Sequence, residues 1–189
     1  MIKIGILGDI GSGKSYVAKN FGHPFFNADD EVAKLYKKDR KIFGKLKKIL
    51  PKYFHSFPVE KKEVSNAILA NRQNLKKIIR VIHLEIRKKL NIFLKKNNKK
   101  KIVILDIPLL LENKINKKKD ILIFVDSKKS DILKILKKRK NFNQKLIKKF
   151  KSMQLSLDYK KKKSQFIIKN NFTKKSVRIG IKNILKKIL

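Results

Sequence analysis

Apolar residues follow two rhythms along this chain. Short stretches of strand length built on apolar runs occur at 2–7 (IKIGIL), 23–29 (HPFFNAD), 99–108 (KKKIVILDIP, with an unbroken apolar run ended by Asp and Pro), 120–126 (DILIFVD) and 165–170 (QFIIKN). Such runs suit strands buried on both faces, as in a parallel sheet. Between them, apolar residues recur at three- and four-residue steps, which is the helical rhythm. The clearest case is 75–94, where Leu75, Ile78, Ile79, Ile82, Ile86, Leu90 and Phe93 share one side. Helices are also predicted over 14–21, 29–43, 130–139, most of 140–164, and 176–189. The stretch 50–64 holds Pro51 and Pro58 and reads as a loop between helices. Strands alternating with helices predict an α/β domain around a mainly parallel sheet. No internal repeat interrupts that order.

Four of the seven glycines fall between residues 5 and 19, in GILGDIGSGKSYVAK. Gly8-Asp9-Ile10-Gly11-Ser12-Gly13-Lys14-Ser15 fits the G-x-x-x-x-G-K-[ST] phosphate loop. The spacing has a physical reason: glycines let the backbone curl until successive N–H groups point inward at phosphate oxygens. The helix starting at Lys14 adds its positive end. Lys14 then reaches the β- and γ-phosphates, and the Ser15 hydroxyl is placed to ligate Mg²⁺. A strand before the loop and a helix after it are the context this chemistry requires. The loop is therefore read as the seat of a nucleoside triphosphate.

Charge changes the picture less than its size suggests. With 52 Lys+Arg against 14 Asp+Glu, the formal net charge of the 189-residue chain is +38. Such a balance raises nucleic acid or an anionic membrane as partner. Only six of the basic residues are Arg (40, 72, 80, 87, 139 and 178), and Ile and Asn are abundant. Arg is the usual choice for forked recognition of phosphates and bases. A Lys-Ile-Asn skew is instead the mark of codon bias on tolerant surface positions. The Lys runs, 160–163 among them, are read as compositional, and no specific nucleic-acid partner is expected. Cysteine is absent, which excludes disulfides and thiolate metal sites. No apolar run approaches a membrane span, so a soluble cytoplasmic protein is expected.

The chain lacks the Asn-Lys-x-Asp motif that reads guanine, and it is short. A small kinase is the natural class, and such an enzyme needs an acceptor site, a carboxylate near the acceptor hydroxyl and basic groups around the phosphates. Asp29 follows the second apolar run, where a strand end would line the ligand crevice; it is a candidate base, and the same position also suits a helix N-cap. Asp106 ends the run IVIL and suits a Mg²⁺ site, or a turn carboxylate before Pro108. Glu112 either caps the next helix or touches substrate. Arg80, His83 and Arg87 share a helix face and suit an anionic acceptor, or are ordinary solvated charge. The basic stretch from Arg139 onward suits a lid that closes over the phosphates, or again reflects lysine bias. A kinase for another small nucleotide or metabolite, and an ATP-switched nucleic-acid-binding protein, are the competing readings.

Several segments together carry a resemblance to a known family: IGILGDIGSGKSYVAK, FFNADDEVAKLY, VIHLEIRKKL, ILDIPLLLE, DILIFVD, KKRKNFNQ, SMQ and FIIKNN. In this order they resemble the dephospho-coenzyme A kinase family, over nearly the whole chain. The resemblance implies a three-layer fold like that of nucleoside monophosphate kinases, with a parallel five-stranded core, a helical acceptor-binding segment and a helical lid. On this basis the core is expected over 1–29, 99–139 and 164–189, the acceptor segment over 30–98, and the lid over 140–163. The implied reaction moves the ATP γ-phosphoryl to the ribose 3′-hydroxyl of dephospho-coenzyme A, with Mg²⁺, as the last step of coenzyme A assembly. A monomer or weak homo-oligomer is expected.

Residue roles also follow from the resemblance. Asp29 is the implied base, with Lys14 and Arg139 beside the transferring group. Gly8, Gly11, Ser12, Gly13, Lys14, Ser15, Tyr16 and Asn170 would hold ATP, Asn170 by its adenine. His83, Arg87, Pro108, Leu109, Leu110 and Glu112, with Asp29, would meet the acceptor; Arg80 joins them from its place on the same helix face, and Ser15 and Asp106 remain the metal candidates read above from the loop motif and the strand end. The chain departs from the family pattern at Asp9, where glycine is usual, and at Asn27, where the first acid of Asp-Ala-Asp stands. Leu84 also replaces the proline after His83. Asp9 leaves the loop functional if its side chain points outward and its φ stays negative.

Overall fold

The computed structural model describes residues 1–139 and 142–189. Five strands, β1 (Ile2–Gly8), β2 (Phe25–Asn27), β3 (Ile102–Asp106), β4 (Ile121–Asp126) and β5 (Phe166–Lys169), form one sheet in the order β2-β3-β1-β4-β5. Every strand pair is parallel. Four strands lie within the apolar runs, and β1 extends one residue past its run, to Gly8. Such a sheet needs apolar residues on both faces, and β3 is buried at every position.

Two compact units divide the chain. The first holds 1–27, 97–142 and 153–189, and so contains the whole sheet. Its helices are α1 (Lys14–Asn20), α6 (Lys129–Lys137), α8 (Leu157–Lys163) and α9 (Lys174–Ile188). Ile4, Ile6, Ile104, Ile123 and Ile168 form a core with Val17 and Phe21 of the α1 stretch and Val177 and Ile181 of α9. Ile104 has no exposed surface, and burying a side chain of this size contributes roughly 1.5–3 kcal/mol. On the pleat's other side, Leu110 and Leu122 crowd Gly5 so closely that a Cβ there would stand 2.4 Å from Leu110 Cδ2. The expected three-layer α/β architecture is observed.

The second unit holds 28–96 and 143–152: α2 (Ala28–Lys38), α3 (Arg40–Ile49), α4 (Lys61–Ala70), α5 (Arg72–Lys96) and α7 (Gln144–Lys151). α5 is the long helix of the 75–94 pattern, and it buries Leu75, Ile78, Ile82, Ile86 and Leu90 against its neighbours. Three local expectations need correction. The helix predicted over 29–43 is two helices, because Asp39 leaves helical geometry and caps α3, its Oδ1 accepting from Ile42 N at 3.1 Å. The loop predicted over 50–64 ends early, because Glu60 and Glu63 form a capping box that starts α4. The predicted helix over 140–164 is α7 and α8, separated at 152–156. α7 belongs with the helical unit, where Lys149 Nζ donates to the carbonyls of Ile68 and Leu69 at the end of α4, each at 2.7 Å. A cation there satisfies carbonyls that the helix itself leaves open.

Candidate active site

β1 ends at Gly8 and α1 begins at Lys14, so the glycine loop joins a central strand to a helix N-terminus. Gly8 and Gly13 need glycine for separate reasons. Gly8 has φ 148°, and a Cβ would lie 2.8 Å from the Val125 carbonyl. Gly13 has φ 87°, in the left-handed region, and a Cβ would lie 2.5 Å from Asn170 Nδ2. Gly11 rests close to Leu136 of α6.

Asn170 has a defined role in this loop. It is buried, its Nδ2 donates to the Ser12 carbonyl at 2.9 Å, and its Oδ1 accepts from Phe172 N at 2.9 Å. Ser127 Oγ donates to the same Ser12 carbonyl at 3.0 Å. The loop is thus fixed from behind by the ends of β4 and β5. Gly13→Ala is expected to push the Asn170 amide off this carbonyl while forcing alanine into left-handed backbone. We expect a loss of about 2–3 kcal/mol, read as a melting-temperature drop of roughly 5–10 °C, together with weaker nucleotide binding.

The donors on the loop fit a phosphate chain. The Ser12 side chain is buried and its Oγ has no hydrogen-bond partner, an orphan that an incoming phosphate oxygen can satisfy. Lys14 Nζ donates to Asp9 O at 2.7 Å and lies 3.4 Å from Gly8 O, so the ammonium is folded over its own loop. Ser15 and Tyr16 are exposed in the first turn of α1. Asp9 is not turned outward. It is buried, its Oδ1 accepts from Ile10 N at 2.7 Å, and it lines a cavity of about 160 Å³ with Ser12, Asp126, Ser127 and Lys161. Its φ is not positive, so the substitution brings no left-handed strain. The acid is accommodated by bonding to the loop's own main chain.

Asp106 ends β3 and is buried; Asn27 stands opposite it in register and donates from Nδ2 to its Oδ2 at 3.0 Å. The departure at 27 therefore replaces what would be a second carboxylate beside Asp106 with a donor to it. Asp106 and Ser15 carry the hard oxygen ligands that Mg²⁺ takes. Pro108 and Leu109 follow on a half-buried turn, and Leu110 is fully buried. Glu112 accepts from Lys160 Nζ at 2.8 Å and from Leu155 N at 2.9 Å through the same Oε1. Arg139 is exposed just beyond α6; Lys140 and Asn141, where the expected lid begins, lie outside the described residues.

In the helical unit, Asp29 is the second residue of α2, exposed beside Asp30 and Glu31 in the first turn. Arg80, His83 and Arg87 lie on α5, with His83 half-buried and both arginines exposed. Burial holds the His83 imidazole below its ordinary pKa, and the Arg87 guanidinium adds to that shift. His83 is therefore neutral at pH 7 and able to accept a hydrogen bond. Sequence reasoning missed two residues with roles in these surroundings, Asn27 as partner of Asp106 and Lys160 as partner of Glu112. Asn27 was legible as a neighbour of Asp106 only once strand register was known. Lys160 carries no signal within KKKK, and the reading of that run as compositional fails at this position, where the side chain is buried.

A five-stranded parallel sheet in this order, with a glycine loop leading from its central strand into α1, defines a phosphate-loop kinase of the α/β class. The crystal structure of TT1252 from Thermus thermophilus has this fold, with TM-score 0.76 and 21% identity, covering 100% of this chain and 98% of that one. A dephospho-CoA kinase structure from Campylobacter jejuni aligns with TM-score 0.63 and 21% identity over 98% of this chain and 96% of its own. A profile of the dephospho-CoA kinase family matches residues 2–175. A dephospho-CoA kinase of Wolbachia pipientis wMel is 32% identical over 187 residues, 96% of this chain and 95% of the relative. The chain belongs to the dephospho-CoA kinase family.

Proposed function

We infer that this protein transfers the γ-phosphoryl group of ATP to the ribose 3′-hydroxyl of dephospho-coenzyme A, giving coenzyme A and ADP. The observation that carries this reading is the family match across 2–175 together with a formed phosphate loop whose buried Ser12 Oγ lacks a partner. In this reading the acceptor 3′-oxygen forms a bond to the γ-phosphorus, the bond to the β,γ-bridging oxygen breaks, and ADP leaves. The 3′-hydroxyl proton passes to the Asp29 carboxylate. Lys14 and the loop N–H groups hold the β- and γ-phosphates, and Arg139 adds positive charge around the transferring group. Ser15 and Asp106 hold Mg²⁺, which when bound neutralises phosphate charge. Tyr16 flanks the nucleotide, and Asn170 serves it by fixing the loop. Arg80, His83 and Arg87 hold the anionic acceptor, and Pro108, Leu109 and Leu110 are assigned to the same ligand.

No helix among the described residues is long and apolar enough to cross a membrane, and the proposed setting is the cytoplasm, as a monomer or weak homo-oligomer. The test is ADP release by the purified chain with ATP and Mg²⁺, with and without dephospho-coenzyme A, and product identification by mass spectrometry. Acceptor-dependent ADP with a mass gain of one phosphate is expected. No acceptor-dependent turnover, while a known kinase works in the same mixture, overturns the reading; turnover with a different acceptor in a panel reassigns it.

Both proposed substrates are polyanions and the chain carries +38. Its field should speed their encounter without changing the chemical step. We expect kcat/KM to fall roughly tenfold between about 0.02 and 0.3 M ionic strength as screening shortens the field, with kcat changing far less.

A further inference from the structure

Two adjacent lysines of α8 pair with two carboxylates at the C-terminal ends of different strands of the sheet. Lys160 Nζ lies 2.8 Å from Glu112 Oε1, in the turn after β3. Lys161 Nζ lies 2.9 Å from Asp126 Oδ2, the last residue of β4. β3 and β4 flank β1. α8 packs on β1 and β4, so these pairs bracket the strand that leads into the phosphate loop.

The pairs are unequal. The side chains of Lys161 and Asp126 are 45% and 38% exposed, and such a pair contributes little because water and salt screen it. Those of Lys160 and Glu112 are 1% and 10% exposed. A buried ammonium is tolerated only when its donors are met. Gln154 Oε1 accepts from Lys160 at 3.0 Å, and Glu112 Oε1 also accepts from Leu155 N. One carboxylate oxygen thus receives both the lysine and the main chain returning from α7. Replacing a buried ion pair by well-packed apolar side chains is often neutral or stabilising. What an ion pair adds over them is direction, since it dictates which atoms must meet.

The turn carrying Glu112 is otherwise held by Leu110, buried above Gly5, and by short main-chain bonds such as Leu110 N to Ile107 O at 3.1 Å. Pro108 and Leu109 lie next to these anchors. The geometry points to Lys160 and Glu112 as a positioning pair that sets this turn for the acceptor. The assignment rests on the proposed function, which places Pro108, Leu109 and Leu110 beside the acceptor. Glu112 acts through the turn, its Oε1 being committed to Lys160 and Leu155.

The test compares Lys160→Met, the doubly neutral E112Q/K160M, and Lys161→Met, each with its melting curve. Steady-state constants for both substrates are measured, and hydrogen exchange is followed over 107–115. Lys160→Met is expected to raise the KM for dephospho-coenzyme A roughly tenfold while leaving the ATP KM within about twofold, and to speed exchange at 107–115. E112Q/K160M leaves no uncompensated buried charge, so it keeps the protein folded if the single variant does not, and it should show the same two changes. Lys161→Met should show neither. An acceptor KM equal to wild type in the folded double variant, an ATP KM rising in step, or an equal effect of Lys161→Met overturns the assignment. Should the wild type not turn over dephospho-coenzyme A, the proposed function fails. The pair is then judged by exchange alone, and unchanged exchange at 107–115 in the double variant refutes it.

Discussion

Lys14→Ala is expected to lower kcat/KM by at least about a thousandfold, some 4 kcal/mol of lost transition-state stabilisation. The ammonium sits at the mouth of α1, donating to the carbonyls of Asp9 and, at longer range, Gly8. These acceptors are replaceable: in the proposed reaction the same donors move to the β- and γ-phosphate oxygens, where charge grows as the phosphoryl group transfers. In the free protein a hydrogen bond such as that from Lys14 to the Asp9 carbonyl is worth about 1 kcal/mol. Melting should therefore shift by only a few degrees while turnover collapses. Lys14→Arg should not restore the rate, because a planar fork does not fit where a compact ammonium is aimed. The check is steady-state kinetics beside a melting curve, and a Lys14→Ala protein within tenfold of wild type would remove the loop from the mechanism.

Asp29→Asn is expected to lower kcat by about a hundred- to ten-thousandfold, the span over which a positioned base contributes, with the ATP KM nearly unchanged. Position alone left two explanations for this acid, a base or a helix cap. α2 begins at Ala28, so Asp29 stands inside its first turn and not at the N-cap; the base role is the proposal this variant tests. The remaining helical role is a favourable charge at the helix N-terminus, worth about 0.3–1 kcal/mol. Asp30 occupies the same turn and should contribute similarly to the helix. Asp30→Asn is thus the matched control, expected to cost comparable stability without the loss in kcat. Equal losses from both variants would reduce Asp29 to a helix charge.

Much of this architecture was written locally. The strand at 102–106 buries IVIL, which has no polar residue to turn toward water, and closes on the buried Asp106. The phosphate loop was legible because glycines at set intervals, followed by Lys-Ser, satisfy a backbone demand that few other sequences meet. The α5 stripe was legible from its three- and four-residue steps. What escaped was governed by single residues acting on their neighbours: Asp39 breaking one predicted helix into two, and Glu60 with Glu63 opening α4 within a predicted loop. Each is a capping event, decided by one side chain reaching a main-chain N–H, and apolar periodicity does not record it.

By itself, then, the order of residues determined the alternation of strands and helices, the phosphate-binding curl and the candidate acids, because each depends on spacing within one short segment. Tertiary structure decided the strand order, the bond from Asn27 to Asp106, the Asn170 amide behind the loop and the burial of one lysine from a run of four. Those contacts join residues as many as 158 positions apart. The physical reason is that a charge in a lysine run looks the same at every position until packing removes water from one of them, and only then must it find a partner.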